Sequence, residues 1–155
     1  LPPSHIGSQT SPHVITTVEE TERALEQAAK QHQPVMLDFY ADWCTACKSI
    51  ETTLFTVPEI QKALKNILVL KIDLTSNNHE SRALLHKFNV IAPPTFLFFD
   101  ASGRERPALR LVGNISASAL QQNLQTLNLG RHIVSSQSTP AFSQSYPQNL
   151  WIKQK

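Results

Sequence analysis

Val35-Met36-Leu37-Asp38-Phe39-Tyr40-Ala41-Asp42-Trp43-Cys44-Thr45-Ala46-Cys47-Lys48 sets a six-residue, largely apolar run holding one carboxylate just ahead of both cysteines of the chain. A compact apolar segment that follows Pro34 and ends in a polar turn reads as a buried central strand. The helix after it opens at the cysteines. Cys44 then stands at a helix N-terminus, where unpaired amides and the positive dipole end favour a thiolate. Cys44 is expected to be exposed, and Cys47, one turn further in, to be more buried. A dithiol at this spacing can pass two electrons to a partner disulfide in two successive thiolate attacks. It closes too short a loop to add much stability through chain entropy. The pair therefore reads as chemistry rather than as a staple.

Half a zinc site would look the same at first sight. Zinc needs four protein ligands, or three and a water. The nearest histidines, His32 and His79, lie 12 residues before Cys44 and 32 after Cys47, with no metal-like spacing between them. No metal is expected, and the histidines read as scattered solvent positions.

Working outward, Thr17-Val18-Glu19-Glu20 has the pattern of a capping box, and apolar residues recur at helical spacing from there to about Gln31. A helix from the cysteines to about Phe55 is interrupted near Pro58 and resumes through Leu64. Ile67–Asp73 reads as a second buried strand, Glu80–Phe88 as a helix, Thr95–Asp100 as a third strand and Ala108–Val112 as a fourth. Leu120, Leu124 and Leu127 mark a last helix, with Gly130 as its cap. Val14-Ile15 could add a short edge strand. Strands separated by helices are expected to run parallel, and the tight turn at Gly103 makes the last pair antiparallel. The result is an α/β fold, a central mixed sheet flanked by helices on both faces. Residues 1–13 read as an arm, 14–130 as the domain, and 131–155 as a polar, disordered tail in which Leu150-Trp151-Ile152 could dock.

The 155 residues suit one domain with trailing sequence. The longest apolar runs, Ile67–Leu70 and Phe96–Phe99, fall far short of the roughly 20 residues of a membrane-spanning helix. No signal peptide is evident, and a chain that starts at Leu1 reads as a processed product or an excised piece. A net charge of +2 gives no reason to invoke nucleic acid. Residues 1–60 carry 3 basic and 8 acidic side chains (net −5) and residues 61–155 carry 11 and 4 (net +7), a dipolar distribution with no specific reading.

The stretch Leu37–Lys48 resembles the active-site strand and helix of the thioredoxin family, and Ile91-Ala92-Pro93-Pro94-Thr95-Phe96 resembles that fold's cis-proline loop. A closer resemblance is to the C-terminal periplasmic domain of the DsbD family, transmembrane thiol:disulfide interchange proteins. It rests on Ala41-Asp42-Trp43-Cys44, on Ala46, on Lys48 with Glu51, on Asp73-Leu74-Thr75-Ser76-Asn77-Asn78 and on Phe98-Phe99-Asp100. The resemblance implies a thioredoxin fold over residues 14–129. It also implies a cis peptide at Pro94 facing the disulfide, and a periplasmic domain of an inner-membrane protein. Such a domain takes electrons from a membrane-embedded donor domain and hands them to an N-terminal periplasmic acceptor domain. No diffusible cofactor is implied. The Ser- and Gln-rich tail departs from the family pattern.

Within this frame Cys44 attacks and Cys47 resolves. Asp38 lies inside an apolar strand, where burial raises a carboxyl pKa and suits acid–base work on the thiols. The match to the buried aspartate of thioredoxins supports that role. Glu51 sits one turn after Cys47 and by resemblance joins Asp38. Trp43 and Tyr40 are expected to shield the disulfide and, with Pro94 and Thr95, to meet a partner chain. The resemblance puts Val69, not Lys71, where the family's lysine stands, so Lys71 receives no role. Neutral Thr45 and Ala46 between the cysteines, with carboxylates nearby, disfavour a thiolate and point to a reductant. The rivals are a free-standing thioredoxin or disulfide isomerase and, in a different class, a non-catalytic binding or metal-holding module.

Overall fold

The computed structural model describes residues 13–136, with side chains as far as Gly130. The elements are β1 (His13–Ile15), α1 (Val18–Lys30), β2 (Val35–Tyr40), α2 (Thr45–Thr53), α3 (Pro58–Leu64) and β3 (Leu68–Asp73). They continue with α4 (His79–Lys87), β4 (Thr95–Phe99), a one-turn 3-10 helix (Pro107–Leu109), β5 (Leu111–Val112) and α5 (Ala117–Ser136). The sheet has five strands in the order β1-β3-β2-β4-β5. This is the thioredoxin fold, a mixed sheet with helices on both faces. Of the expected arm, 1–13, only His13 is described, and it opens β1; of the expected disordered tail, 131–155, residues 131–136 continue α5 instead, and the rest, with Trp151, lies outside the described residues.

Strand alternation divides the interior in two. Leu37 and Phe39 of β2 join Leu25, Ala28, Leu84 and both cysteines on one face. Met36 of β2 joins Ile50, Leu54, Ile60, Phe96, Phe98, Leu120, Leu124 and Leu127 on the other. The buried stripe Cys47, Ile50, Leu54 thus lets α2 span from the cysteines down onto the second core.

Four expectations are corrected. First, β4 runs antiparallel to β2 although α4 precedes it. The passage Asn89–Pro94 delivers the chain to the end where β2 finishes, so Thr95 pairs with Phe39. Second, the strand expected over Ala108–Val112 begins in the 3-10 turn Pro107–Leu109, and only its last two residues form β5. Pro107 has no N–H for a ladder and fits the first turn of a helix. Third, α5 continues through Gly130 to Ser136. A glycine inside a helix costs only about 1 kcal/mol relative to alanine, and α5 absorbs it. Fourth, the Thr17 hydroxyl does accept from the Glu20 N–H and cap α1, but Glu20 accepts back from that hydroxyl and so does not complete a capping box.

Candidate active site

Cys44 and Cys47 form a disulfide, their Cα atoms 5.3 Å apart. Cys44 is the N-cap of α2, and its Sγ accepts the Cys47 N–H at 3.2 Å. The expectation of an exposed Cys44 is corrected: it is 8% exposed against 4% for Cys47. The turn that brings Cys44 N–H onto Ala41 O tucks the residue against the core of Leu37, Phe39 and Ala41. Trp43, beside it, is the exposed group at 58%.

A chain of hydrogen bonds holds that tryptophan. Its indole N–H donates to Thr75 O at 3.2 Å, and the Asp42 N–H donates to Thr75 Oγ1 at 2.9 Å. The Thr75 N–H and hydroxyl both donate to Asp73 Oδ1. The Tyr40 hydroxyl donates to Asp42 Oδ1 at 3.3 Å. Loss of solvation, then the charges of Asp73 and Asp42, push the Tyr40 phenol up to about 12, so it stays a donor.

The Pro93–Pro94 peptide is cis. Pro94 is buried, its carbonyl accepts the Gly113 N–H at 3.0 Å, and the buried Thr95 hydroxyl donates to Ala92 O. Ile91, at the start of this loop, is 93% exposed.

Asp38 is 5% exposed. Burial pushes its carboxyl up from 3.8 to about 7; Lys71 opposes this and Glu51 adds to it. Lys71 faces Asp38 in register on β3. Its Nζ is 2.5 Å from Glu51 Oε1 and 3.9 Å from the Tyr40 ring centroid. The structure therefore unites Asp38, Glu51 and Tyr40 around a lysine to which the sequence reading gave no role. The family resemblance points two residues upstream, to Val69, whereas the single interior charges of the two apolar strands pair Asp38 with Lys71. Thr75 was missed as a fastener, although it stands in the quoted Asp73–Asn78 stretch.

Among the described residues no group of three or more His, Cys, Asp or Glu could hold a metal ion, and no helix is long and apolar enough to cross a membrane. The described histidines, His13, His32, His79 and His86, are all exposed.

A model of a thioredoxin-like family matches residues 16–101, from just after β1 to the turn after β4. The chain belongs to the thioredoxin-like family. This thioredoxin-like domain is 46% identical over 110 residues to the thiol:disulfide interchange protein DsbD of Cronobacter sakazakii, 71% of this chain and 19% of that protein. To DsbD of Escherichia coli O6:H1 it is 42% identical over 122 residues, 76% of this chain and 21% of that protein. The chain thus spans about a fifth of the length of these relatives. Among solved structures, the oxidised C-terminal domain of Neisseria meningitidis DsbD is 28% identical, with a TM-score of 0.63, covering 76% of this chain and 99% of that one.

Proposed function

We propose that the chain is a protein-disulfide reductase that relays electrons in a DsbD-like system. The observation that carries this reading is the Cys44–Cys47 disulfide capping α2, at the end of the strand that buries Asp38. In the reduced form the Cys44 thiolate attacks a partner disulfide, making a mixed disulfide and releasing one partner thiolate. Cys47, deprotonated, then attacks Cys44 Sγ and releases the second partner thiol. Two electrons pass to the partner, and Cys44–Cys47 is left oxidised until another dithiol reduces it. Asp38 takes and returns the proton of the resolving thiol, with Glu51 nearby. Exposed Trp43 and half-buried Tyr40 meet the partner chain, while buried Pro94 and Thr95 fix the shape of the loop that it meets. The donor is a membrane-embedded domain, the acceptor an N-terminal periplasmic domain, and the location the periplasm. The names of the relatives and their extra length support that setting, and the exchange itself needs no diffusible cofactor.

The test is the reduction potential, by equilibration in thiol buffers and alkylation of free thiols. A value below about −210 mV, between thioredoxin near −270 and protein disulfide isomerase near −180, is expected of an electron donor. A value near the strong-oxidant end, about −120 mV, would mean that the chain makes or shuffles disulfides instead.

A further inference from the structure

Arg110 holds the chain on both sides of the loop that leads into β4. The last turn of α4 closes as a Schellman motif: Asn89, with a φ of 52°, donates its N–H to His86 O at 3.3 Å, and Val90 donates to Leu85 O at 2.9 Å. The carbonyls of Phe88 and Asn89, at this turn, accept from the Arg110 guanidinium, Nη2 to Phe88 O at 2.9 Å and Nη1 to Asn89 O at 3.0 Å. Its Nε donates to Glu105 Oε1 at 2.5 Å, and the two side chains are 24% and 22% exposed. One planar fork thus serves three acceptors, partly out of water. A cleft of about 480 Å³, lined also by Glu22, Lys87, Phe99 and Pro107, opens beside it. The guanidinium therefore ties α4 to the 3-10 turn across a gap that packing does not fill. The residues after Arg110 hold the other end of the loop. Leu111 and Val112 pair with Phe96 and Thr95, and the Gly113 N–H donates to Pro94 O at 3.0 Å. Residues 110–113 grip Asn89–Pro94 at both ends, and Ile91 and Ala92 stand exposed between the grips. The gripped loop ends at the pole of the cysteines, because Thr95 pairs with Phe39 and the Ala41 carbonyl takes the Cys44 N–H.

We propose that Arg110 is a positioning residue for exchange with protein disulfides: its guanidinium sets the pose of Asn89–Pro94, the loop against which the partner chain lies. This rests on the reading that the partner meets that loop. Without the guanidinium, two carbonyls lose their donors and Glu105 its counter-charge, so the start of the loop is freed while Gly113 still holds its end. The disulfide keeps its own supports, the cap of α2 and the Ala41–Cys44 turn. A small disulfide, which needs no loop, is therefore reduced as before, and only a protein disulfide is reduced more slowly.

The reduced chain is mixed with insulin, as a protein disulfide, and separately with dithiobis(nitrobenzoate), as a small one. Arg110→Met should slow the reaction with insulin about five-fold and leave the other rate unchanged. Arg110→Lys, a point charge without the planar fork, should fall between, and it keeps a charge beside Glu105 should Arg110→Met not fold. Lys87→Met breaks the neighbouring ion pair with Glu22 at 3.0 Å without touching the loop carbonyls, and should slow neither reaction. Amide hydrogen exchange in the oxidised protein reads the loop itself: the Asn89 and Val90 N–H groups should exchange faster in Arg110→Met, with Arg110→Lys between. Loosened amides, slowed insulin and an unmoved small disulfide together support the proposal. Unchanged amides in both arginine variants overturn the role of Arg110 alone, whatever the loop does. Equal slowing with both disulfides also overturns it, since a tie that only stabilises the fold has no reason to separate them. If the amides loosen but insulin reacts as before, the partner does not meet this loop, and the role of Arg110 in exchange falls with that reading.

Discussion

Asp38 binds its proton more tightly in the folded chain than in the unfolded one, because burial penalises the carboxylate. Its folded value, about 7, lies above its unfolded value of 3.8. The contribution to stability is therefore fully present below about pH 4 and is lost as pH rises towards 7, where the native carboxyl finally ionises. At about 1.4 kcal/mol per unit, the loss approaches 4 kcal/mol by pH 8. Asp38→Asn cannot ionise, so at pH 8 it is expected to unfold at higher urea than the unsubstituted chain, by about 2–4 kcal/mol. Near pH 4 the advantage should vanish, and an equal difference at both values would rule out ionisation as its cause. This residue was legible because one carboxylate interrupts an apolar strand. Lys71 was legible only as an interior charge of the next strand, because a strand lysine has a long stem and its head group can meet water or a partner. Only the cross-strand register decides between them. The burial of Cys44 was equally illegible: spacing places it at a helix start, whereas the Ala41–Cys44 turn decides how far it is covered.

At the scale of elements, the segment after β3 fastens the mouth of the site. Thr75 ties Asp73 to Asp42 and receives the Trp43 indole on its carbonyl, so one residue of the β3–α4 loop governs the pose of the aromatic beside Cys44. Thr75→Val keeps the shape but removes the hydroxyl, leaving the Asp42 N–H without its acceptor. The expected loss is about 1 kcal/mol of stability in urea unfolding, the usual net worth of one hydrogen bond. The Trp43 indole N–H should also exchange faster with solvent, whereas unchanged exchange would mean that the backbone alone sets its pose. Helices and strands showed in the sequence through their periods, and α4 is confirmed with Asn78 and Ser81 closing a capping box. Strand direction did not show in the same way. Alternating helices and strands suggest parallel pairing, but here the passage Asn89–Pro94 returns the chain to the start of β4 beside the end of β2. That reversal is a property of a loop, and loops carry no period to read.

For the whole molecule, the sheet separates two cores with different duties. The cysteines belong to the core of Leu37, Phe39, Leu84 and Phe88, while α5 seats Leu120, Leu124 and Leu127 in the other. The two cores touch chemically through α2, which roots Cys47 in the first and Ile50 and Leu54 in the second. A reduction potential compares the stabilities of the oxidised and reduced folds. A defect that weakens both forms alike must cancel from it. Leu124, fully buried on α5, supplies such a defect: Leu124→Ala removes buried methyl groups and is expected to cost about 2–5 kcal/mol. The potential should nonetheless shift by less than about 10 mV, since about 30 mV corresponds to 1.4 kcal/mol for a two-electron couple. Ile50→Ala, by contrast, loosens the helix that carries Cys47 itself and should move both quantities. If Leu124→Ala shifted the potential as far as Ile50→Ala does, the strain of the second core would be reaching the disulfide through the sheet. The fold would then be a single cooperative device rather than a rigid mount under an independently tuned site.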